Sequence, residues 1–286
     1  MKKVILNSYA KVNLFLKVGK KFKKSKLHNI QSLVFLISLN DKIVIQKIFG
    51  ARDIIKFEGK FKKNINKKNN SIKKALMLLR KKNYIDKKIK FKIVVKKNIP
   101  VFSGLGGGSS NAATLIKYFI KNRKIINDKI EYFSKYLGSD FKLFFKSKKI
   151  LQQNLFQLKD FKKKYSFYFL IVFPYFKAST KEIYSKLKKP DKIEYIKNYQ
   201  NNSRIGLIKV LKLEKNSLQK IIISKFPTIN HVLKEMNKLK KLQFSRVTGS
   251  GSACFALFLT KNDGTSGLRQ IKKKFPKFWC VLCKTI

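Results

Sequence analysis

A cluster of glycines in the first half of the chain has the composition of a phosphate-binding turn. Four of the 13 glycines fall within Gly104–Gly108, and Ser109 and Ser110 follow directly. Glycine lets the backbone approach a ligand closely and adopt dihedral angles that other residues avoid. A helix that starts at such a turn directs unpaired N–H groups and the positive end of its dipole at an anion. The sequence therefore predicts a phosphate site here, with the serine hydroxyls available to phosphate or Mg2+.

The cluster matches neither of two common nucleotide-binding patterns. No lysine follows the glycines, as a P-loop requires, and Ser109 occupies the place of the last glycine in the dinucleotide pattern. A flexible turn with a serine N-cap is the structural alternative, although clustered glycines cost backbone entropy that an ordinary turn does not need. If phosphates occupy the turn, Gly107→Val should abolish nucleotide binding and leave the fold largely intact.

The elements on either side of the cluster predict a strand, a turn and a helix. Residues 91–97 have the composition of a strand, which residues 98–100 (Asn-Ile-Pro) end. After the cluster, apolar residues recur every three or four positions, as in an amphipathic helix with Ser109 or Ser110 as its N-cap. These apolar residues are Ala112, Leu115, Ile116, Phe119 and Ile120.

Three further polar residues occupy positions suited to chemistry. Apolar residues alternate through residues 10–18, which predicts a half-buried strand with Lys11 and Asn13 on one face, roughly 6–7 Å apart. A second helix ends at Gly138, a normal C-terminal signal, and Asp140 follows immediately. That turn is free to face a ligand.

The remaining pattern predicts a mixed α and β chain in two domains. A basic stretch at residues 159–164 suggests domains at residues 1–158 and 159–286. Residues 71–79 have helical spacing, and residues 57–70 are polar enough for a loop. Further strands are predicted at residues 33–37, 41–46, 166–173 and 253–259.

The formal charge of +54 raises the question of nucleic-acid binding. Only six of the 68 basic residues are arginine, and Lys, Ile, Asn and Phe crowd the chain. These abundant residues have A/T-rich codons, so a compositional bias of the genome explains the lysines. Base readout and bidentate phosphate contacts favour arginine. We therefore expect no specific nucleic-acid partner, although the charge would attract anionic nucleotides.

The apolar segments and cysteines predict a cytoplasmic protein without a membrane span. Residues 167–173 are too few to cross a bilayer, and polar residues interrupt the apolar part of the N-terminus. Cys254, Cys280 and Cys283 lack the spacing of a disulfide framework, which suits a reducing compartment. Cys280 and Cys283 could form a metal or redox pair, but small residues near a C-terminal strand are the favoured interpretation.

Three stretches together resemble the motifs of the GHMP kinase superfamily, in order and at similar separations. They are "SYAKVNLFLKV", "NIPVFSGLGGGSSNAA" and "RVTGSGSACFALF". Within the superfamily, "AKVNLFL", "LHNIQSL" and "LGSD" resemble the branch that uses ATP to phosphorylate a CDP-linked methylerythritol in the non-mevalonate route to isoprenoids. The resemblance implies an α+β fold, with an N-terminal ribosomal-protein-S5-like domain and a C-terminal ferredoxin-like α/β domain, and substrates bound between them.

The resemblance assigns roles to individual residues. Lys11 and Asp140 match the catalytic lysine and aspartate. Asn13, His28 and Thr180 match substrate-binding positions, with His28 as the reader of the cytosine. ATP, together with Mg2+, is expected at the remaining matched positions: Asn70, Pro100, Val101, Phe102, Ser103, Gly104, Leu105, Gly106, Gly107, Gly108, Ser109, Ser110, Thr248, Gly249, Ser250 and Gly251. The segment 248–252 is expected to brace the phosphate loop.

Three departures from the branch pattern bear on substrate affinity and efficiency. Leu27 stands where these kinases usually have a tyrosine that stacks on the cytosine, and Lys142 replaces a usual proline. The loop between Val18 and His28 is basic and lacks the usual "GRRxDGYH"-like pattern.

The residues by themselves leave alternatives open. Asp140 could be a turn or cap residue, Lys11 one of many lysines, and His28 a packing residue. Another GHMP kinase, acting on homoserine or mevalonate, and a basic nucleic-acid-binding protein are the alternative functions. The enzyme is expected to be a monomer or homodimer.

Overall fold

Hydrophobic alternation over the first 48 residues produces two long strands, and the rest of the fold is built around them. The computed structural model describes residues 2–22, 27–120, 127–194, 199 and 202–286. The strands in this part of the chain are β1 (Lys3–Lys21), β2 (His28–Ile48), β3 (Ile54–Glu58), β4 (Lys90–Lys96), β5 (Lys149–Gln152), β6 (Leu158–Asp160), β7 (Tyr168–Phe173), β8 (Phe244–Val247), β9 (Cys254–Phe258) and β10 (Trp279–Lys284).

The described helices follow the predicted apolar spacing where a prediction was made. They are α1 (Ser71–Lys81), α2 (Gly107–Ile120), α3 (Asn127–Leu137), α4 (Thr180–Ser185), α5 (Arg204–Leu213), α6 (Gln219–Lys225), α7 (Thr228–Asn237) and α8 (Lys261–Lys274). Among the described residues, no helix combines the length and apolar character needed to cross a membrane.

The chain forms two compact units, each assembled from separated segments. The first comprises residues 1–10, 39–101 and 106–146, and the second comprises residues 11–38, 102–105 and 147–286. The sequence predicts continuous domains that meet between residues 158 and 159, and that boundary stays a prediction.

In the first unit, the second half of β2 pairs antiparallel with β4, and β3 lies parallel on the other side of β4. Helices α1 and α2 pack against each other. Their buried apolar residues, such as Ile72 and Leu79 on α1 and Leu115 and Ile116 on α2, form one helical face each.

In the second unit, the first half of β2 pairs antiparallel with β5, which continues to β6. A separate four-stranded antiparallel sheet has the order β10-β7-β9-β8. Its core includes Leu170 and Val172 of β7 and Ala256 of β9, with Val232 of α7 and Ile271 of α8 packed in the same cluster.

Several predicted boundaries were wrong. Residues 33–37 and 41–46 belong to one strand, β2, because the polar residues between them stay in the extended ladder. The loop predicted at 57–70 begins inside β3 and contains a short 3-10 helix, Lys62–Asn64.

The predicted N-cap of α2 was also wrong, because the helix already begins at Gly107 and places Ser109 and Ser110 inside its first turn. Strand β1 differs from a half-buried strand as well, since its polar face is covered: Lys11 and Asn13 are only 3% and 5% exposed.

Candidate active site

The first turn of α2 leaves space on one side and none on the other. A Cβ built on Gly107 would lie 2.9 Å from Cγ2 of Ile99, so Gly107 faces the protein interior. At the exposed Gly108, the nearest atom to such a Cβ is the Ser71 hydroxyl, at 3.9 Å. The expectation that Gly107→Val would spare the fold was therefore wrong. Gly108 is the glycine of this turn that leaves open space.

The start of α1 lies beside the start of α2, since a Cβ built on Gly108 would lie 3.9 Å from the Ser71 hydroxyl oxygen. Asn70 is the N-cap of α1: its side-chain oxygen accepts a hydrogen bond from the Lys73 N–H at 3.0 Å. Its amide nitrogen donates to the carbonyl oxygens of Asn66 and Lys67. Two neighbouring helix N-termini favour an anion, while a contact of Asn70 with adenine stays a prediction.

Asp140 lies in a turn that adjoins the same helix. Gly138 has φ of +99°, a conformation that ends α3, and a 3-10 helix (Ser139–Phe145) follows with Asp140 in its first turn. Asp140 is half-buried. The Ser109 hydroxyl donates to the Leu137 carbonyl at 3.4 Å, so the first turn of α2 and the turn that carries Asp140 are neighbours within the first unit.

Lys142, which replaces a usual proline, has an ionic partner. Its ammonium pairs with the Glu131 carboxylate on α3. This ion pair connects the 3-10 helix that contains Asp140 to the preceding helix. A lysine at this position can therefore support the turn in a way that a proline cannot.

Ser110 directs its hydroxyl towards the interior. It accepts a hydrogen bond from the Ser8 hydroxyl at 2.8 Å and donates to the Tyr9 carbonyl at 2.7 Å. Ser109 is half-buried and Ser110 is buried. Ser109 is thus the better placed of the two serines for contact with phosphate or Mg2+.

In the second unit, Lys11 and Asn13 form one hydrogen-bonded group. The Lys11 ammonium donates to the Asn13 side-chain oxygen at 2.5 Å. The Asn13 amide nitrogen donates to the Ser32 hydroxyl at 2.8 Å, and the Asn13 backbone N–H donates to the Thr248 hydroxyl at 3.0 Å. The spacing of two residues on a strand predicted this neighbourhood.

The segment 248–253 holds residues 102–105 through the backbone. The N–H groups of Ser252 and Ala253 donate to the carbonyls of Phe102 and Ser103, and the Lys11 N–H donates to the Leu105 carbonyl. Gly104 has φ of +77°, and a Cβ there would overlap the Thr248 carbonyl oxygen. This contact requires glycine, whereas a role of these residues in nucleotide binding stays a prediction.

One ring nitrogen of His28 is bonded to the backbone, and the other has no hydrogen-bond partner among the described residues. Its Nδ1 lies 2.8 Å from the Gly19 carbonyl oxygen. A carbonyl only accepts, so Nδ1 carries the proton and a neutral ring leaves Nε2 as an acceptor. Nε2 is buried and has no hydrogen-bond partner among the described residues.

An aromatic ring lies beside His28. The Tyr184 and His28 ring centroids are 5.6 Å apart, and Tyr184 is half-buried. Leu27 is half exposed. Part of the basic loop that precedes it, residues 23–26, lies outside the described residues.

Thr180, the first residue of α4, lies near the segment 248–253. Its hydroxyl is 2.9 Å from the Ser250 hydroxyl. Thr180 is exposed, so a substrate can reach it, and that contact stays a prediction.

The sequence analysis did not single out Tyr184, which lies beside His28, or the charged residues beneath α2. Tyr184 is far from His28 along the chain, and no periodicity connects them. Asp41 and Lys97, both buried beneath α2, were read only as strand residues. A buried Asp and a buried Lys are rare unless paired, but burial of single charged residues is not visible in a lysine-rich sequence.

The cysteines occupy structural positions. Cys254 is buried in β9, and Cys280 and Cys283 are buried in β10. Burial raises the pKa of the Cys254 thiol. Within the described residues, no three His, Cys, Asp or Glu side chains gather as a metal site.

Two family models match the chain. The model of the GHMP kinases N terminal domain matches residues 70–138, and that of the GHMP kinases C terminal domain matches residues 196–277. The first match contains α2 with its glycines, and the second contains segment 248–253. The predicted two-domain GHMP kinase fold is thereby confirmed.

The chain is similar along almost its whole length to kinases of one kind. A protein of Pelagibacter ubique (strain HTCC1062) named 4-diphosphocytidyl-2-C-methyl-D-erythritol kinase is 38% identical over 283 residues, 98% of each chain. A protein of the same name from Wolbachia sp. subsp. Brugia malayi (strain TRS) is 30% identical over 292 residues, 98% of this chain and 97% of the relative.

Solved structures agree on the fold but do not separate the activities. A crystal structure of 4-(cytidine 5'-diphospho)-2C-methyl-D-erythritol kinase has a TM-score of 0.72 at 20% identity and covers 98% of this chain and 99% of its own. Homoserine kinase from Cytophaga hutchinsonii ATCC 33406 has a TM-score of 0.71 at 13% identity, with 100% and 95% covered. These likenesses establish the fold and leave the choice of substrate to the residues of the site.

Proposed function

The chain belongs to the 4-diphosphocytidyl-2-C-methyl-D-erythritol kinase family of GHMP kinases, and from that membership we propose its reaction. It is an ATP-dependent small-molecule kinase. It transfers the terminal phosphoryl group of ATP to the 2-hydroxyl of 4-diphosphocytidyl-2-C-methyl-D-erythritol, in the non-mevalonate pathway to isoprenoid precursors. A bond forms between that oxygen and phosphorus, the bond to ADP breaks, and the hydroxyl proton leaves.

Phosphoryl transfer depends on positioning and on charge neutralisation, and the polar residues described above fit these needs. Asp140 accepts the proton of the attacking hydroxyl. Lys11, oriented by Asn13, stabilises the charge on the transferring group. The N–H groups of the first turn of α2, around the open Gly108, bind the phosphates.

The observation that carries the choice of substrate is the environment of His28. A neutral ring with an unpartnered Nε2 acceptor suits a donor such as the exocyclic amine of cytosine. Tyr184 offers an aromatic face beside it, on which a base can stack. Homoserine and mevalonate carry no base, so this pair favours a nucleotide-linked substrate. Thr180 completes the substrate contacts.

Mg2+ accompanies the nucleotide in this proposal. The ion prefers oxygen ligands and usually binds through phosphates with few protein groups. The half-buried Ser109 hydroxyl in the first turn of α2 fits that need, and Mg2+ neutralises phosphate charge when it is bound. We place the enzyme in the cytoplasm, as a monomer or homodimer without a specific nucleic-acid partner.

The test is an assay of the purified protein with ATP, Mg2+ and 4-diphosphocytidyl-2-C-methyl-D-erythritol. We expect ADP and a new phosphomonoester, which 31P NMR detects, with homoserine and mevalonate giving no product above background. Turnover of homoserine or mevalonate in place of the CDP-linked substrate would overturn the proposal. So would the absence of turnover with all three in protein that is shown to be folded.

A further inference from the structure

A buried carboxylate, Asp41, collects hydrogen bonds from the chain segment that leads into the glycine cluster. Asp41 is completely buried in β2. Its Oδ1 accepts the backbone N–H groups of Asn98 and Ile99, at 2.7 and 2.9 Å. Its Oδ2 accepts the side-chain amide of Asn111 on α2 at 2.9 Å and the ammonium of Lys97. Four donors thus meet one carboxylate.

Lys97 lies directly beneath the first residue of α2. A Cβ built on Gly107 would be 3.4 Å from the Lys97 ammonium nitrogen. The same nitrogen donates to the Asn111 side-chain oxygen at 3.2 Å. Burial lowers the pKa of the Lys97 ammonium, and the neighbouring Asp41 carboxylate opposes this effect. Each charge of the Asp41–Lys97 pair is therefore stabilised by its partner, since burial removes the water that would otherwise solvate it.

The bonds continue from this pair along the inner face of α2. The Asn111 amide also donates to the Ser8 hydroxyl at 2.9 Å, and Ser8 donates to Ser110 at 2.8 Å. Ser110 donates to the Tyr9 carbonyl at 2.7 Å. The network ties the first turns of α2 to β1, to β2 and to the end of β4.

The position of this network argues for a role beyond stability. A buried ion pair is often no more stabilising than apolar residues of similar size, because desolvation of the charges offsets their attraction. Fully satisfied polar networks do rigidify their surroundings. Lys97 lies beneath the first residue of α2 and Asp41 bonds Asn111 of the same helix. The N–H groups of that helix end are the ones proposed to hold phosphate in a fixed arrangement.

We propose that Asp41 and Lys97 are positioning residues that hold the first turn of α2 in its phosphate-binding geometry. The inference rests on the proposed function only in that this turn binds the phosphates of ATP. It predicts that loss of either side chain weakens nucleotide binding and leaves binding of the CDP-linked substrate unchanged.

The test uses Lys97→Met and Asp41→Asn in the full chain. Calorimetric titration with ATP and Mg2+ should show affinity reduced about 10–100-fold, by analogy with the residues that orient the ligands of a metal site. The affinity for 4-diphosphocytidyl-2-C-methyl-D-erythritol should stay at the wild-type value, because Asp41 bonds the segment that leads into α2 and α2 itself, whereas His28 bonds Gly19. Lys97→Met leaves Asp41 three of its four donors, so it carries the test if Asp41→Asn does not fold.

A matched control lies at the other end of β4. Asp53 pairs with both guanidinium nitrogens of Arg80, at 2.6 and 2.9 Å, and accepts the Phe91 N–H at 3.0 Å. Asp53→Asn should lower the melting temperature and leave the affinity of the folded protein for ATP unchanged. Wild-type ATP affinity in folded Lys97→Met and Asp41→Asn, or an equal loss in Asp53→Asn, would overturn the inference. A wild-type protein that binds ATP but does not phosphorylate the CDP-linked substrate would instead refute the proposed function.

Discussion

The Lys11 ammonium donates to the Asn13 side-chain oxygen at 2.5 Å, and both residues are buried on one face of β1. The orientation of the Asn13 amide is fixed by a second bond. Its nitrogen donates to the Ser32 hydroxyl at 2.8 Å, and Ser32 in turn donates to the Phe15 carbonyl at 2.6 Å. Asn13 therefore presents its oxygen to Lys11. We conclude that Asn13 orients the lysine in addition to any contact with substrate.

Replacement of Asn13 by leucine should reduce kcat. The substitution keeps the size of the side chain and removes the acceptor that orients Lys11. We expect kcat to fall about 10–100-fold, by analogy with the residues that orient the ligands of a metal site. Lys17→Met is the matched control, because Lys17 lies on the same strand but pairs with Glu214 and not with Asn13. Equal kcat values for Asn13→Leu and wild type would show that Lys11 needs no such orientation.

The two glycines of the first turn of α2 should respond differently to substitution. Gly108→Val adds atoms in open space, where phosphates are proposed to bind, so ATP affinity should fall at least about ten-fold with little change in melting temperature. Gly107→Ala places a methyl group against Ile99 and should cost about 1–3 kcal/mol of stability through overpacking.

Calorimetry for ATP affinity and thermal unfolding for stability separate these two effects. If Gly108→Val binds ATP as wild type does, the phosphates bind elsewhere. If Gly107→Ala is as stable as wild type, the interior side of the turn is looser than the contacts with Ile99 indicate.

Tyr184 should supply part of the affinity for the cytosine. Removal of a stacking ring costs about 1–3 kcal/mol per base, so Tyr184→Ala should raise KM for the CDP-linked substrate correspondingly. Tyr184→Phe keeps the ring and is the matched control. KM for ATP should not change in either variant.

The ring of Tyr184 also limits how much Leu27→Tyr can raise the affinity for the CDP-linked substrate. A tyrosine at Leu27 adds the full stacking energy only if no ring is already present, and Tyr184 lies 5.6 Å from His28. We expect tightening by less than about 1 kcal/mol. A larger gain in Leu27→Tyr, with no loss in Tyr184→Ala, would place the base away from Tyr184.

Local sequence patterns predicted the helices and strands, but they did not predict contacts between residues that are far apart in the sequence. Alternation placed Lys11 and Asn13 on one face of a strand, and helical spacing predicted α1 and α2. The start of α2 was misplaced because glycine has a low helix propensity. Gly107 is nonetheless the first residue of the helix, and the side chain of Ile99 leaves no room for a Cβ there.

The functional neighbours that were missed lie far apart in sequence. His28 and Tyr184 meet only because β2 and α4 belong to the same unit. Asp41 and Lys97 lie on adjacent strands, β2 and the end of β4, and their partnership depends on strand register. No propensity or periodicity encodes such pairings. The motif resemblance identified His28 from the sequence. The position of Tyr184 beside it is visible only in the folded structure.

The lysine excess should bind nucleic acid without selectivity. If the charge of +54 reflects composition alone, affinity for RNA or DNA arises from counterion release and falls steeply as salt approaches physiological strength. Fluorescence anisotropy with several unrelated oligonucleotides across a salt series measures both properties. Binding that selects one sequence and persists at physiological salt would support the nucleic-acid alternative instead.

Asp140 and Lys11 should behave as one catalytic group. Asp140→Asn keeps the shape of the side chain and removes the base, and general-base catalysis contributes about 10²–10⁴-fold. We expect kcat to fall within that range while ATP still binds. Lys11→Ala should lower kcat comparably, because the charge on the transferring phosphoryl group loses its counterpart.

The double variant decides whether the two residues depend on each other. Residues that act as a unit show losses that do not multiply, so Asp140→Asn with Lys11→Ala should be far more active than the product of the single losses predicts. Multiplied losses would mean that Lys11 binds phosphate independently of the base. Near-normal kcat in both single variants would refute the proposed mechanism, since neither residue would then serve the transfer.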